Sequence, residues 1–176
     1  VILNETFNSL YDWATSGSGT VEIAPVGELH FYDTSNTNNV AQRSDITISQ
    51  EYTLTISNTI DNYSANNYDA LAVRIRDGQF KLEFKFRNDG IYALKDSGLQ
   101  QIASSVDSNQ HTYRAEVNNG AASIYQDDVL LSTYTMPTDS GADLVYLWSK
   151  GKSGNASESH IGSLDLVDDT VVTTTD

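Results

Sequence analysis

The chain has no cysteine, so no disulfide holds it together and the sequence keeps no record of a redox compartment. Basic residues are scarce: ten Lys and Arg stand against 24 Asp and Glu, for a net charge of −14. That balance argues against nucleic acid or an anionic membrane as partner for the surface as a whole. It favours solubility and suits a saline or calcium-rich setting. No stretch approaches the roughly 20 apolar residues of a membrane span, which excludes insertion by a helix. Strongly periodic helical segments are missing too. Val1 is not a natural start, so the lack of a leader peptide in these residues is uninformative. The chain is therefore expected to be a module cut from a larger multidomain protein, and monomeric within it. Residues 1–168 form the module, and 169–176 begin a Thr-rich linker or tail.

What is present is β-strand pattern. A length of 176 residues, 39% of them hydrophobic, suits one domain with a sizeable core. Residues 44–57 give the clearest period of two: Ile46, Ile48, Tyr52, Leu54 and Ile56 alternate with Thr47, Ser49, Thr53, Thr55 and Ser57. An Asn-rich loop is expected over 58–68. His111 to Val117 alternates again, with His111, Tyr113, Ala115 and Val117 inward. Turns are expected at Asp77-Gly78, Asn88-Asp89-Gly90, Asn119-Gly120 and Asp127-Asp128. About twelve to fourteen short strands and no helix predict an all-β, antiparallel two-sheet β-sandwich.

The functional argument centres on residues 70–87. A two-residue turn at Asp77-Gly78 would set Arg74 opposite Lys81 and Val73 opposite Leu82. One face then carries Leu71, Val73, Ile75, Phe80, Leu82, Phe84 and Phe86. The other carries Arg74, Arg76, Lys81, Lys85 and Arg87, with Glu83 among them. Half of the chain's cations thus fall on one hairpin face. Like charges directly opposite destabilise a hairpin, so a cation-poor chain that gathers them is holding them for an anion. The competing reading is a solvated outer face kept soluble by its charges. A three-residue loop at Asn88-Asp89-Gly90 would place Tyr92 beside Phe86, Leu94 beside Phe84 and Lys95 opposite Glu83.

Several segments resemble concanavalin A-like and laminin-G-like jelly rolls. They are Glu5-Thr6-Phe7 with Trp13, the strand His111 to Val117 with its turn and following strand, and the closing strand Ile161 to Val167. The resemblance implies a jelly roll whose last strand lies beside its first, and extracellular recognition, most often of carbohydrate. It also implies a structural Ca²⁺ tying those two strands, with Glu5 and Asp165 as its carboxylates. The family's Glu-x-Asp-x-x-Glu strand is absent, as is the Gln-Ile-His pairing of its alginate lyases, and both departures weigh against catalysis.

Taken with the basic face, these features predict a non-catalytic carbohydrate-binding module for an acidic polysaccharide. Its site is Arg74, Arg76, Lys81, Lys85 and Arg87 on a concave sheet face, extended by Arg114. Tyr146 and Trp148 serve as stacking platform unless they turn inward as core, and Trp13 is expected to be a packing anchor. Guanidinium forks bind carboxylate or sulfate in pairs of hydrogen bonds, and Lys adds a point charge. One alternative is a small polysaccharide lyase, with His30, His111, His160 or a Tyr as base. Another is an adhesin or laminin-G-like domain that binds protein.

Overall fold

A computed structural model describes residues 1–64, 67–104 and 106–170, so most of the expected tail (171–176) lies outside the described residues. The described residues form fifteen strands and no helix. These are β1 (Leu3–Glu5), β2 (Ala14–Ser16), β3 (Thr20–Ile23), β4 (Leu29–Asp33), β5 (Asn39–Arg43), β6 (Glu51–Asn62), β7 (Leu71–Arg76), β8 (Lys81–Arg87), β9 (Gly90–Lys95), β10 (Gly98–Ala103), β11 (His111–Asn118), β12 (Ala121–Gln126), β13 (Val129–Thr135), β14 (Leu144–Ser149) and β15 (Ser157–Asp168). All pairings are antiparallel. One sheet, here sheet A, runs β13-β12-β11-β6-β15-β4-β3, with β1 also on β15. Sheet B runs β10-β9-β8-β7-β14-β5-β2. The fold is the expected two-sheet sandwich, and Leu3 pairs with Leu166, so the closing strand does lie beside the first.

Strand β6 shows why the sheets face each other. Tyr52, Leu54, Ile56 and Ile60 are buried, while the Thr and Ser between them face outward. From sheet B, Leu71, Val73, Ile75, Leu82, Phe84 and Phe86 meet them, and Phe86 packs edge-on against Tyr113 at 4.7 Å. Trp13 is 5% exposed and packs on Phe7 at 5.9 Å, as a packing anchor should.

Local turn chemistry decides the registers. Asn119-Gly120 and Asp127-Asp128 are two-residue turns with positive φ throughout, the geometry that suits a right-handed strand twist. The Asp77 loop differs from expectation. Arg76 pairs with Lys81 and Arg74 with Glu83, so four residues make the turn instead of two. Asp77 Oδ1 accepts from the N–H groups of Gln79 (3.0 Å) and Phe80 (2.7 Å), which widens the loop. A slip of two residues keeps every side chain on its expected face.

At Asn88-Asp89 the turn is one residue shorter than expected. Arg87 pairs with Gly90, Phe86 with Ile91 and Phe84 with Ala93. A slip of one residue turns the strand over. Ile91 and Ala93 enter the core; Tyr92 and Leu94 face out, and Lys95 reaches Ser132 and the Tyr134 ring instead of Glu83. Gly90 sits at φ +150°, and a Cβ there would lie 2.1 Å from the Ala103 carbonyl, so only glycine fits this close pairing.

One further element departs from the sequence reading, and two strands carry no pattern that announces them. β6 runs on to Asn62, where a loop was expected. β2 is three exposed residues with no apolar pattern, and in β5 Val40 and Ala41 pack on opposite sides of the sheet, so neither strand shows a period of two.

Candidate functional site

The outer face of sheet B is built in rows. Gln42, Tyr146, Arg74 and Glu83 form one across β5, β14, β7 and β8. Val40, Trp148, Ala72, Lys85 and Tyr92 form the next, ending on β9. Tyr146 and Trp148 therefore face outward, beside the basic residues and not into the main core. Ala72 is the small member of its row, and the space above it lets the Lys85 ammonium reach 5.1 Å from the Trp148 ring. Arg74 lies 5.1 Å from the same ring and 5.6 Å from Tyr146, and Arg87 lies 5.0 Å from Tyr92. Trp148 is only 3% exposed, packed with Val40, Ala72 and Tyr146 under these cations. It stiffens the face more than it offers a flat open platform.

All five cations of the hairpin lie on this face, but none is free. Glu83, 3% exposed, accepts from Arg74 at 2.7 Å and pairs with Lys85 at 3.2 Å. Asp69, delivered just before β7, pairs with Lys85 at 3.1 Å and Arg87 at 2.8 Å. Arg76 and Lys81, the like charges that do sit opposite each other, share Asp139 at 3.6 Å each. Burial pushes the Asp139 carboxyl up, but the Gly141 N–H and the two cations outweigh it, and its pKa lies below the ordinary value. Five cations against three carboxylates leave the lattice two charges positive. At its Arg76 end a recess of about 650 Å³ opens between Gln79, Phe80, Thr138, Asp139 and Ser140.

Other predicted site residues go elsewhere. Arg114 stands on β11 in sheet A, paired with Glu116 and Asp128 over the Tyr125 ring, so it cannot extend the face. Glu5 pairs in register with the core residue Leu164, and Asp165 with Asn4 one residue along. Their side chains therefore point to opposite sides of the β1–β15 ladder and cannot share one Ca²⁺. Glu5 instead binds Arg43 at 3.0 Å.

No histidine joins the basic face. His30 and His160 lie on the outer face of sheet A. His111 leans inward beside Tyr113, with its ring clamped by Asp127 (2.5 Å) and Asp107 (2.8 Å). Burial there disfavours the imidazolium, but the two carboxylates more than offset it, so the pKa of His111 lies above the usual histidine value. Tyr92, Asp69 and Asp139 are the face residues that sequence reasoning missed.

No protein-family model and no curated protein matches the chain in sequence. Solved structures do match its fold. A sialidase superposes with a TM-score of 0.71 at 10% identity over 90% of this chain, which spans 17% of the sialidase. A carbohydrate esterase of a Shiga toxin-encoding bacteriophage, phi24B, gives 0.68 at 11% identity, covering 94% of this chain and 97% of the other. An alginate lyase from Corynebacterium sp. gives 0.61 at 16%, covering 88% and 82%. The chain has the jelly-roll fold of concanavalin A-like modules, and these structural neighbours are carbohydrate-active proteins.

Proposed function

We propose that the protein is a non-catalytic carbohydrate-binding module that grips an acidic polysaccharide on the outer face of sheet B. The observation that carries this reading is the charge lattice: half of the cations of a strongly acidic chain, two in excess of the carboxylates among them, interleaved with Tyr146, Trp148 and Tyr92. Buried Glu83 and Asp69 hold Arg74, Lys85 and Arg87 in fixed positions, so little side-chain entropy is lost on binding. Guanidinium edges donate to sugar carboxylates or sulfates, the paired carboxylates accept from sugar hydroxyls, and the exposed part of Tyr146 supplies an apolar surface.

Affinity electrophoresis through alginate, polygalacturonate and a neutral β-glucan tests this reading. Retardation by the charged polymers that weakens with rising salt and falls at least tenfold in Arg74→Ala is the expected result. Retardation by the glucan alone removes the charge argument. No retardation by any polymer supports a protein-binding or structural domain, and near-ultraviolet absorbance from unsaturated products would make the protein a lyase.

A further inference from the structure

The opposite face of the sandwich holds a second constellation, built by the same register logic. Glu22, His30 and His160 sit side by side across β3, β4 and β15. Glu158 lies two residues along β15 from His160, and Asp61 two residues along β6 from Thr59, the partner of His160, so a period of two turns both toward the histidines. The two imidazoles are stacked, with centroids 4.3 Å apart and planes 9° from parallel. His30 Nδ1 meets Glu22 at 3.1 Å and its Nε2 meets Glu158 at 2.9 Å, while His160 Nδ1 meets Asp61 at 2.5 Å. His30, His160 and Glu158 each offer a ligand atom within 4.8 Å of the other two.

We infer that His30, His160 and Glu158 form a site for a borderline divalent transition metal, of which Zn²⁺ is the representative. The inference is independent of the sheet B reading. Glu22 and Asp61 each stand against the Nδ1 of one imidazole and can take its N–H, which leaves Nε2 to serve as the ligand once Glu158 turns from His30 Nε2 to the metal. A carboxylate behind a histidine is how metal sites commonly set the tautomer and raise ligand basicity. Two imidazoles and a carboxylate suit Zn²⁺, whereas Ca²⁺ prefers an all-oxygen shell.

Donor atoms around a tetrahedral zinc lie about 3.3 Å apart, so the ligands must close in from their present spacing. For their in-plane lone pairs to converge on one ion, the near-parallel rings would tilt out of their stack, with Glu22 and Asp61 following their Nδ1 atoms, and Glu158 would swing off His30 Nε2. Side-chain exposures of 13%, 20% and 33% for His30, His160 and Glu158 leave the site open to solvent on one side. Three protein ligands leave a fourth position for water or a ligand oxygen. The metal would join β4 to β15, with β3 and β6 held through the outer carboxylates.

Calorimetric titration of the intact protein with Zn²⁺ alone tests this assignment, with Ca²⁺ as competitor and Co²⁺ absorbance as a second readout. One equivalent of Zn²⁺ is expected, undisplaced by excess Ca²⁺, together with visible Co²⁺ bands of a nitrogen- and oxygen-ligated ion. His30→Ala and His160→Ala are each expected to weaken binding at least about 100-fold, and Glu22→Gln or Asp61→Asn about tenfold. His111→Ala should leave the binding unchanged. Melting curves of the metal-free variants check folding; should an alanine variant fail to fold, His160→Asn must show the same loss. No Zn²⁺ binding by the wild type, or binding that survives loss of both histidines, overturns the assignment.

Discussion

Glu83→Ala is expected to lower the free energy of unfolding by about 3 kcal/mol, although Glu83 lies outside the main core. Its carboxylate is 3% exposed and answers both Arg74 and Lys85. Removing it takes the ion-pair partner from Arg74, which lies over Trp148, and leaves Lys85 with Asp69 alone. Breaking a buried pair from one side costs more than the pair itself contributes, because the surviving charge stays desolvated. Arg74 and Lys85 retain 27% and 16% side-chain exposure, and that access to water keeps the loss at the lower end of the range for buried pairs. Glu83→Gln preserves the volume and an acceptor for Arg74, and should cost less than half as much. Urea unfolding checks both: a fall in midpoint at constant m-value is expected for the alanine variant. A midpoint equal to wild type would mean that the lattice is an ordinary solvated surface.

Trp148→Ala is the second large effect, expected at about 3 kcal/mol together with loss of polysaccharide retention. An exposed sugar platform could be deleted with little harm to the fold. Trp148 differs because Val40, Ala72 and Tyr146 surround it and two cations cover it. Its removal opens a cavity beneath Arg74 and Lys85 and frees both side chains to wander. Trp148→Phe should recover most of the stability and part of the binding. Thermal melting and affinity electrophoresis on the same samples separate the outcomes. Lost binding with unchanged stability would make the ring a simple stacking surface.

The sheet B hairpin shows how far residue pattern alone reaches. Side-chain parity along β7 and β8 is a property of each strand, so the basic face could be read despite a loop two residues longer than expected. Parity between β8 and β9 depends on turn length, and a turn one residue shorter than expected at Asn88-Asp89 set Tyr92 outward onto Arg87. The counter-charges were hidden for a different reason. Asp69 precedes its strand, and Asp139 comes from the segment between β13 and β14, more than fifty residues from Arg76 and Lys81. Only the closed sheet brings them there. Arg114 and the pair Glu5 and Asp165 show the opposite error. Each was placed by residue type and order along the chain, and strand pairing puts Arg114 on the other sheet and the two carboxylates on opposite sides of one ladder. His30 and His160 were visible as lone histidines; their union needed the β4–β15 register.

The most direct test of the sheet B account is NMR titration with a uronic-acid oligosaccharide, following the Trp148 indole and arginine Nε–H signals. The account predicts saturable shifts at Trp148, Arg74, Arg76 and Arg87, with Trp13 and Arg114 unmoved. Shifts centred on Arg114 or the sheet A face, or a face that stays silent while the oligosaccharide binds, would contradict it.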